Sequence, residues 1–582
     1  MRAQVRPASG GGSVALENRE SGDKRVGPLR RALPLTVLMA LAPGAALLAQ
    51  EQAPPAAAAP ALAPGNWWLL DAAADHFYGT SAERAYHDLL AGRRPARGVV
   101  VAIIDSGIDT AHTELHDYLW RNPKEQVDGK DEDGDGLADD VRGWDFIGGP
   151  GGKDVKEDSF EMTRRFAMLR KEFQAPHPDS ASAQGRADYA EYLKLQAKIE
   201  QKRDESKNEL AQLDRIAPAV ERATEILRRA LGADSLNAAN VSRLQPTTPD
   251  VIMARAQYLQ LAEAGITPTQ IRMAREEAQA DLQYHLNPDF DPRASIVGDD
   301  YANTAQRNYG NSDVVGPDAM HGTHVAGIVL GVPGNRDKLA DGTPAVRVMV
   351  LRAVPDGDER DKDIANAIRY ATDHGANVIS MSFGKGISPQ KGAVDDAVKY
   401  ADAHGVLLVH AAGNDAANVD TAANFPNRYF QAGGEAADWV EVGASSWRGA
   451  DALAAPFSNY SHTRVDVFAP GVDILSTVPG NGHERLSGTS MAAPVVSGIA
   501  AMLMAYYPSL TAPQVRQIVL QTATRYADQM VARPAEEGGE AGGATPQIRF
   551  GDLSVTGGIV NAYAAVQAAR QLAGQPTGAP GS

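Results

Sequence analysis

"RGVVVAIID" (97–105) is an unbroken Val- and Ile-rich run that ends on one acidic residue, Asp105. It lacks the apolar–polar alternation of a strand with one wet face, so it predicts a strand buried on both sides. "VRVMVLRAV" (346–354), "ANVISMSFG" (376–384) and "GVLLVHAAGN" (405–414) read the same way. Between them, "DKDIANAIRYATDHG" (361–375) and "GAVDDAVKYADAHG" (392–405) have a helical period and close on glycines suited to a left-handed cap. Strand, helix, strand in this order predicts an α/β fold, a mainly parallel twisted sheet with helices on both faces. Such sheets bind ligands beyond the carboxyl ends of their strands. Asp105, Ser382 and Asn414 stand at those ends.

Two further stretches place reactive side chains at helix starts. "AMHGTHVAGIVLG" (319–331) sets His321 before Gly-Thr, and "RLSGTSMAAPVVSGIAAML" (485–503) sets Ser490 after Gly-Thr, with Pro494 just inside the helix. A serine hydroxyl is a poor nucleophile at neutral pH, so acyl transfer needs an imidazole to take its proton and a carboxylate to orient the imidazole. It also needs donors for the developing oxyanion, a role open to the Ser490 backbone N–H and the Asn414 amide. Taken singly, each residue has a plainer reading as a turn, cap or satisfied polar group. Their order and their placement at strand ends favour the joint reading. His324 is read as structural support, since the pattern H-E-x-x-H of zinc peptidases is missing.

The segments "VAIIDSGIDTAH", "HGTHVAGIV", "ISMSFG", "AAGN", "FAPGVDILST" and "GTSMAAP" together resemble the subtilisin-like serine peptidases, the subtilases, over about residues 78–147 and 288–568. The resemblance implies peptide-bond hydrolysis through an acyl-enzyme, with Ser490 as nucleophile, His321 as general base and then acid, Asp105 as orienter and Asn414 as oxyanion donor. It implies no cofactor for the chemistry. It further implies that Ser382, Phe383 and Gly384 form one wall of the cleft and pair with the substrate backbone, and it aligns Asn424 with the floor of the primary pocket. A rival reading is a non-catalytic binding or scaffold protein on the same fold. Keeping all four of Asp105, His321, Ser490 and Asn414 speaks against it.

The chain departs from the simplest subtilases between Asp105 and His321, where a helical insertion over 148–287 divides the catalytic domain into 66–147 and 288–572. Positions 192, 199, 206, 213, 220 and 227 (Tyr, Ile, Ser, Leu, Val, Leu) repeat every seven, which predicts a helical hairpin or coiled-coil-like arm, with Pro218 opening a new helix. The arm is either a passive decoration or a gate or docking site for a partner. Before it, "DGKDEDGDGLADD" (128–140) places Asp131, Asp133, Asp135 and Asp139 as ligands of a structural calcium; the alternative is a solvated acidic turn. Arg142, at the twelfth position of the loop, excludes an EF-hand.

Arg30 and Arg31 followed by "ALPLTVLMALAPGAALLAQ" (32–50) predict a signal peptide over 1–50 and a periplasmic or extracellular protein with no stable membrane span after cleavage. A Pro/Ala tether (51–65), a Gly/Glu-rich loop (534–543) and a disordered tail (573–582) complete the expected organisation. Subtilases are often made with a prodomain; about 15 tether residues precede "NWWLLD", so either none is needed or the insertion took over its task. A net charge of -17 argues against nucleic acid as a partner, leaving protein or peptide substrates. With no cysteine, disulfides and cysteine nucleophiles are excluded.

Overall fold

The computed structural model describes residues 63–173, 182–232, 236–263, 266–535 and 546–574. The expected signal peptide, most of the tether and of the Gly/Glu-rich loop, and nearly all of the tail lie outside the described residues. The last tether residues do not hang free, however. Ala63 is buried, and its carbonyl accepts a bond from Arg485 at 2.8 Å.

The main sheet contains β1 (Val99–Asp105), β2 (Gly143–Asp145), β3 (Val346–Arg352), β4 (Val378–Met381), β5 (Leu407–Ala411), β6 (Trp439–Ser445), β7 (Val467–Pro470), β8 (Thr524–Arg525) and β9 (Gly558–Ile559). Their order is β8-β9-β7-β6-β5-β4-β1-β3-β2, and every pairing is parallel except β8 with β9. β1 lies inside the sheet, with β3 on one side and β4 on the other. Its alternate residues pack into separate cores on the two faces of the sheet, which is why its sequence does not alternate.

The longer α-helices are α1 (Ala82–Asp88), α2 (Glu161–Phe173), α3 (Ala183–Leu231), α4 (Pro249–Glu263), α5 (Pro268–Ala280), α6 (Met320–Gly331), α7 (Asp361–Asp373), α8 (Lys391–Ala403), α9 (Thr489–Tyr506), α10 (Ala512–Gln521) and α11 (Ala562–Ala573). Val99, Val101 and Ile103 of β1 join a core with α6 and α9, while Ala102 and Ile104 join a second core with α7 and α8. The α/β arrangement is thus a parallel sheet between two helical layers. α9 is long and apolar enough to cross a membrane, but every residue of it is buried in this core.

Residues 148–287, the expected insertion, fold mainly as α2 to α5. The heptad residues Ile199, Ser206, Leu213, Val220 and Leu227 of α3 are buried, and Tyr192 packs against the cluster of Phe166 and Leu195. Pro218 does not start a helix, as its sequence context predicts; α3 runs through it. The missing N–H and ring clash cost about 3 kcal/mol. Ile216, Ala217 and Val220 on either side are buried against Leu261, Ile266 and Ile271, and at roughly 1.5–3 kcal/mol per large apolar side chain this packing outweighs the loss.

Candidate active site

Asp105 ends β1 with its side chain almost wholly buried. One carboxylate oxygen, Oδ1, accepts from the Ser106 N–H at 2.8 Å and from His321 Nδ1 at 2.7 Å. Because an ionised carboxylate only accepts, this bond fixes the Nδ1–H tautomer and leaves Nε2 as the basic nitrogen. His321 reaches Asp105 because the start of α6 lies directly on the exit of β1. A Cβ at Gly322 would stand 2.1 Å from the Gly107 carbonyl oxygen and 3.3 Å from Asp105 Cβ, so only glycine permits the approach. Burial disfavours the imidazolium, but the Asp105 charge, with Asp318 behind it, prevails and raises the His321 pKa above its ordinary value.

Ser490 is the second residue of α9, where backbone N–H groups have no intrahelical acceptor. Pro494 lacks the N–H that would bond the Ser490 carbonyl four residues earlier. That carbonyl instead accepts from the Ser382 hydroxyl at 2.9 Å, and the Ser490 hydroxyl donates to the Ser382 carbonyl at 3.1 Å. The proline thereby frees a helix carbonyl to tie Ser490 to the residue just beyond β4.

Asn414 lies just past β5. Its Oδ1 accepts from both the backbone N–H and the hydroxyl of Thr489, at 2.8 and 2.9 Å, which sets its amide nitrogen as the end left to donate. Thr489 Oγ1 also accepts the Gly413 N–H at 3.1 Å, which fixes Thr489 in turn. A Cβ added at Gly488 would sit 3.5 Å from Asn414 Nδ2 and 3.6 Å from Ser490 N. Asn414 Nδ2 and Ser490 N thus both lie beside Gly488. Sequence reasoning missed Thr489, although its place in Gly-Thr-Ser was the available signal.

Ser382, Phe383 and Gly384 follow β4 at the same edge, and a Cβ at Gly384 would collide with Asn424 Oδ1 at 2.5 Å. The Asn424 amide donates to the carbonyls of Ala411 and Ala412 at 3.3 and 3.0 Å. One antiparallel bridge, Lys385 N–H to the Phe425 carbonyl at 2.9 Å and Phe425 N–H to the Lys385 carbonyl at 2.8 Å, clips these two segments together. His324 serves packing. Its Nε2 donates to the carbonyls of Ile474 and Glu484, both at 3.1 Å, and burial pushes its pKa down to about 4, so it stays neutral.

The acidic loop does not gather the four aspartates expected from the sequence. Carboxylates of Glu125, Asp131 and Asp133 approach within 4.8 Å of one another, and so do the ligand atoms of Asp133, Asp135 and His374. Asp139 stays out of both groups. It adopts a left-handed backbone and turns its Oδ1 to the N–H groups of Asp128 and Gly129, at 2.8 and 2.9 Å, closing the loop on itself. Glu125 is the ligand candidate the sequence did not single out. It is 3% exposed; Oε1 accepts from the N–H groups of Glu132 and Asp133, while Oε2 is buried without a hydrogen bond. Burial, then the neighbouring charges of Asp140 and Asp133, push the Asp135 pKa up to about 6.

The sequence matches the subtilase family over residues 96–538. A thermophilic serine proteinase of a Bacillus species is 37% identical over 242 residues, covering 41% of this chain and 54% of the relative. Subtilisin DY of Bacillus licheniformis is 35% identical over 212 residues, 36% of this chain and 72% of the relative. Thermitase of Thermoactinomyces vulgaris is 36% identical over 206 residues, 35% of this chain and 67% of the relative. The chain thus spans about half the length of the first of these.

Proposed function

Since the chain belongs to the subtilase family, we propose that it is an exported serine endopeptidase that cleaves proteins or peptides through an acyl-enzyme on Ser490. An extended peptide pairs with Ser382–Gly384 and presents its scissile carbonyl to Ser490. The Ser490 hydroxyl turns from the Ser382 carbonyl to His321 Nε2, which takes the proton as Oγ attacks. The tetrahedral oxyanion forms between Asn414 Nδ2 and Ser490 N, and Asp105 stabilises the imidazolium. His321 then protonates the leaving amine, and water releases the acyl group by the same steps. The observation that carries this reading is the pair of donors flanking Gly488 beside an Asp105–His321 bond of 2.7 Å. A fluorophosphonate probe tests it: the wild-type protein is expected to be labelled covalently at Ser490, and failure of the folded protein to react would overturn it.

Asn414→Ala is expected to lower kcat by about 10²–10³ with KM little changed, the range known for losing one such donor in a relative. Steady-state kinetics on a peptide anilide measures both constants.

The acidic loop is proposed to hold a structural calcium through Glu125, Asp131 and Asp133, with Asp135 beside them. The orphaned Glu125 Oε2 and the crowding of carboxylates fit a hard cation that accepts several oxygens. The ion would supply no chemistry to the reaction; it would neutralise the loop's charge. At a hundredfold excess over Kd, calcium is expected to stabilise the fold by about 2.7 kcal/mol. Thermal melts should therefore rise with calcium in the wild type, fall with a chelator, and respond to neither in Asp133→Ala.

A further inference from the structure

Lys385 directly follows the Ser382–Gly384 wall, and its backbone makes the bridge to Phe425 that holds this wall to the Asn424 floor. Its side chain turns inward and is 1% exposed. The ammonium bonds Glu161 Oε2, Asp361 Oδ1 and the Glu359 carbonyl, each at 2.8 Å. Asp361 begins α7 of the catalytic domain, whereas Glu161 is the first residue of α2 and belongs to the inserted arm. Glu161 is itself held by Arg164 at 2.7 Å, and its backbone N–H donates to Asp358 at 2.8 Å.

An apolar contact repeats the attachment. Ile387, two residues past Lys385, packs in the cluster of Met162, Phe166 and Leu169 of α2 with Leu195 and Ile199 of α3. A buried ammonium is tolerated only when paired and hydrogen-bonded, so the place of Lys385 follows the place of its carboxylates. One of the two comes from the arm.

We propose that Glu161 is a positioning residue for peptide cleavage: by holding Lys385, it sets the Ser382–Gly384 wall against the Asn424 floor, so that the arm is part of the apparatus that binds extended substrates. This rests on the peptidase reading above. The wall aligns a chain of residues across the cleft, whereas a small acetate ester meets only Ser490, His321 and the oxyanion donors. Because Ser382 also bonds Ser490, displacing the wall slows both substrates, but the peptide, which pairs with the wall as well, loses more. A misplacement of about 1 Å costs on the order of a hundredfold in rate.

The experiment compares kcat/KM for an extended tetrapeptide anilide with kcat/KM for p-nitrophenyl acetate on the same preparation, so that the ratio does not depend on the fraction folded. In Glu161→Gln the peptide-to-ester ratio is expected to fall by about tenfold to a hundredfold, with part of it restored in Glu161→Asp. Arg165→Ala, which breaks ion pairs to Asp188 and Glu191 between two arm helices, should leave the ratio at the wild-type value. An unchanged ratio in Glu161→Gln, or an equal fall in Arg165→Ala, overturns the proposal. A wild-type protein that turns over neither substrate and resists the fluorophosphonate overturns the peptidase reading and this proposal with it.

Discussion

Replacing Ser490 by alanine is expected to lower kcat on a peptide substrate by about a millionfold and to abolish fluorophosphonate labelling. The magnitude follows from the proposed acyl-enzyme route, which is closed once the Ser490 Oγ that would carry the acyl group is gone. A residual rate of about 10³–10⁴ over water should persist, because the donors of Asn414 and Ser490 N still stabilise an oxyanion formed by water. The substitution removes only one bond, that to the Ser382 carbonyl at 3.1 Å, while the Ser490 carbonyl keeps its bond from the Ser382 hydroxyl. The fold should therefore survive, and circular dichroism and the melting temperature check this. A variant that is folded but retains more than a hundredth of wild-type activity would rule out Ser490 as the nucleophile.

Asp105→Asn should cost about 10⁴ in kcat, because the amide favours the wrong imidazole tautomer and no longer stabilises the imidazolium. It should also move the pH profile. The proposed base, His321, must be neutral to take a proton, so wild-type kcat/KM is expected to rise with pH through a pKa held above 6.5 by Asp105. Without that charge, burial is opposed only by the smaller effect of Asp318, and the acid limb of the profile should shift to lower pH. The same shift has a consequence for stability. A folded-state pKa raised above the unfolded value means that the pair stabilises the protein fully below about pH 6.5, and that this contribution is lost as pH rises through the raised value. His324 has the opposite sign. Lowered to about 4, it destabilises the fold as pH falls from 6.5 toward that value. Kinetics across pH 5 to 9 on both proteins checks the first effect.

The sheet was legible where strands are buried on both faces, because there the sequence cannot alternate: 97–105, 346–354, 376–384 and 405–414 each contain a strand of the main sheet. Two-residue strands such as Thr524–Arg525 at the edge of the sheet and Gly558–Ile559 beside it offer too few residues to carry a pattern. At the candidate site, residues flagged by short motifs meet in two groups, His321 with Asp105 and Asn414 with Ser490 beside Gly488. Residues that act through distant partners left no local trace. Glu161 and Lys385 are unremarkable in sequence, and only the fold brings them within 2.8 Å. Glu125 is likewise marked by its burial and not by its neighbours in the chain. Pro218 and Asp139 failed for a common reason: local rules for a helix start and for a calcium loop were overridden by packing in one case and by a backbone turn in the other.

The placement of β1 also governs how the chain is assembled during synthesis. Both of its neighbours, β3 and β4, are encoded after the arm, so a finished apolar strand emerges from the ribosome long before anything can pair with its edges. Such unpaired strands are where aggregation begins. The arm consists of helices that pack on one another, contacts that form quickly, and its two ends are tied by the bond from Phe160 N–H to the His285 carbonyl at 2.9 Å. An arm that collapses first shortens the span across which Val99 must find Val346, and halving that span saves about 0.6 kcal/mol of closure entropy. The thermodynamic gain is small. Its weight lies in timing, since rapid collapse of the arm leaves β1 waiting beside a folded helical body until the strands that cover it have been made.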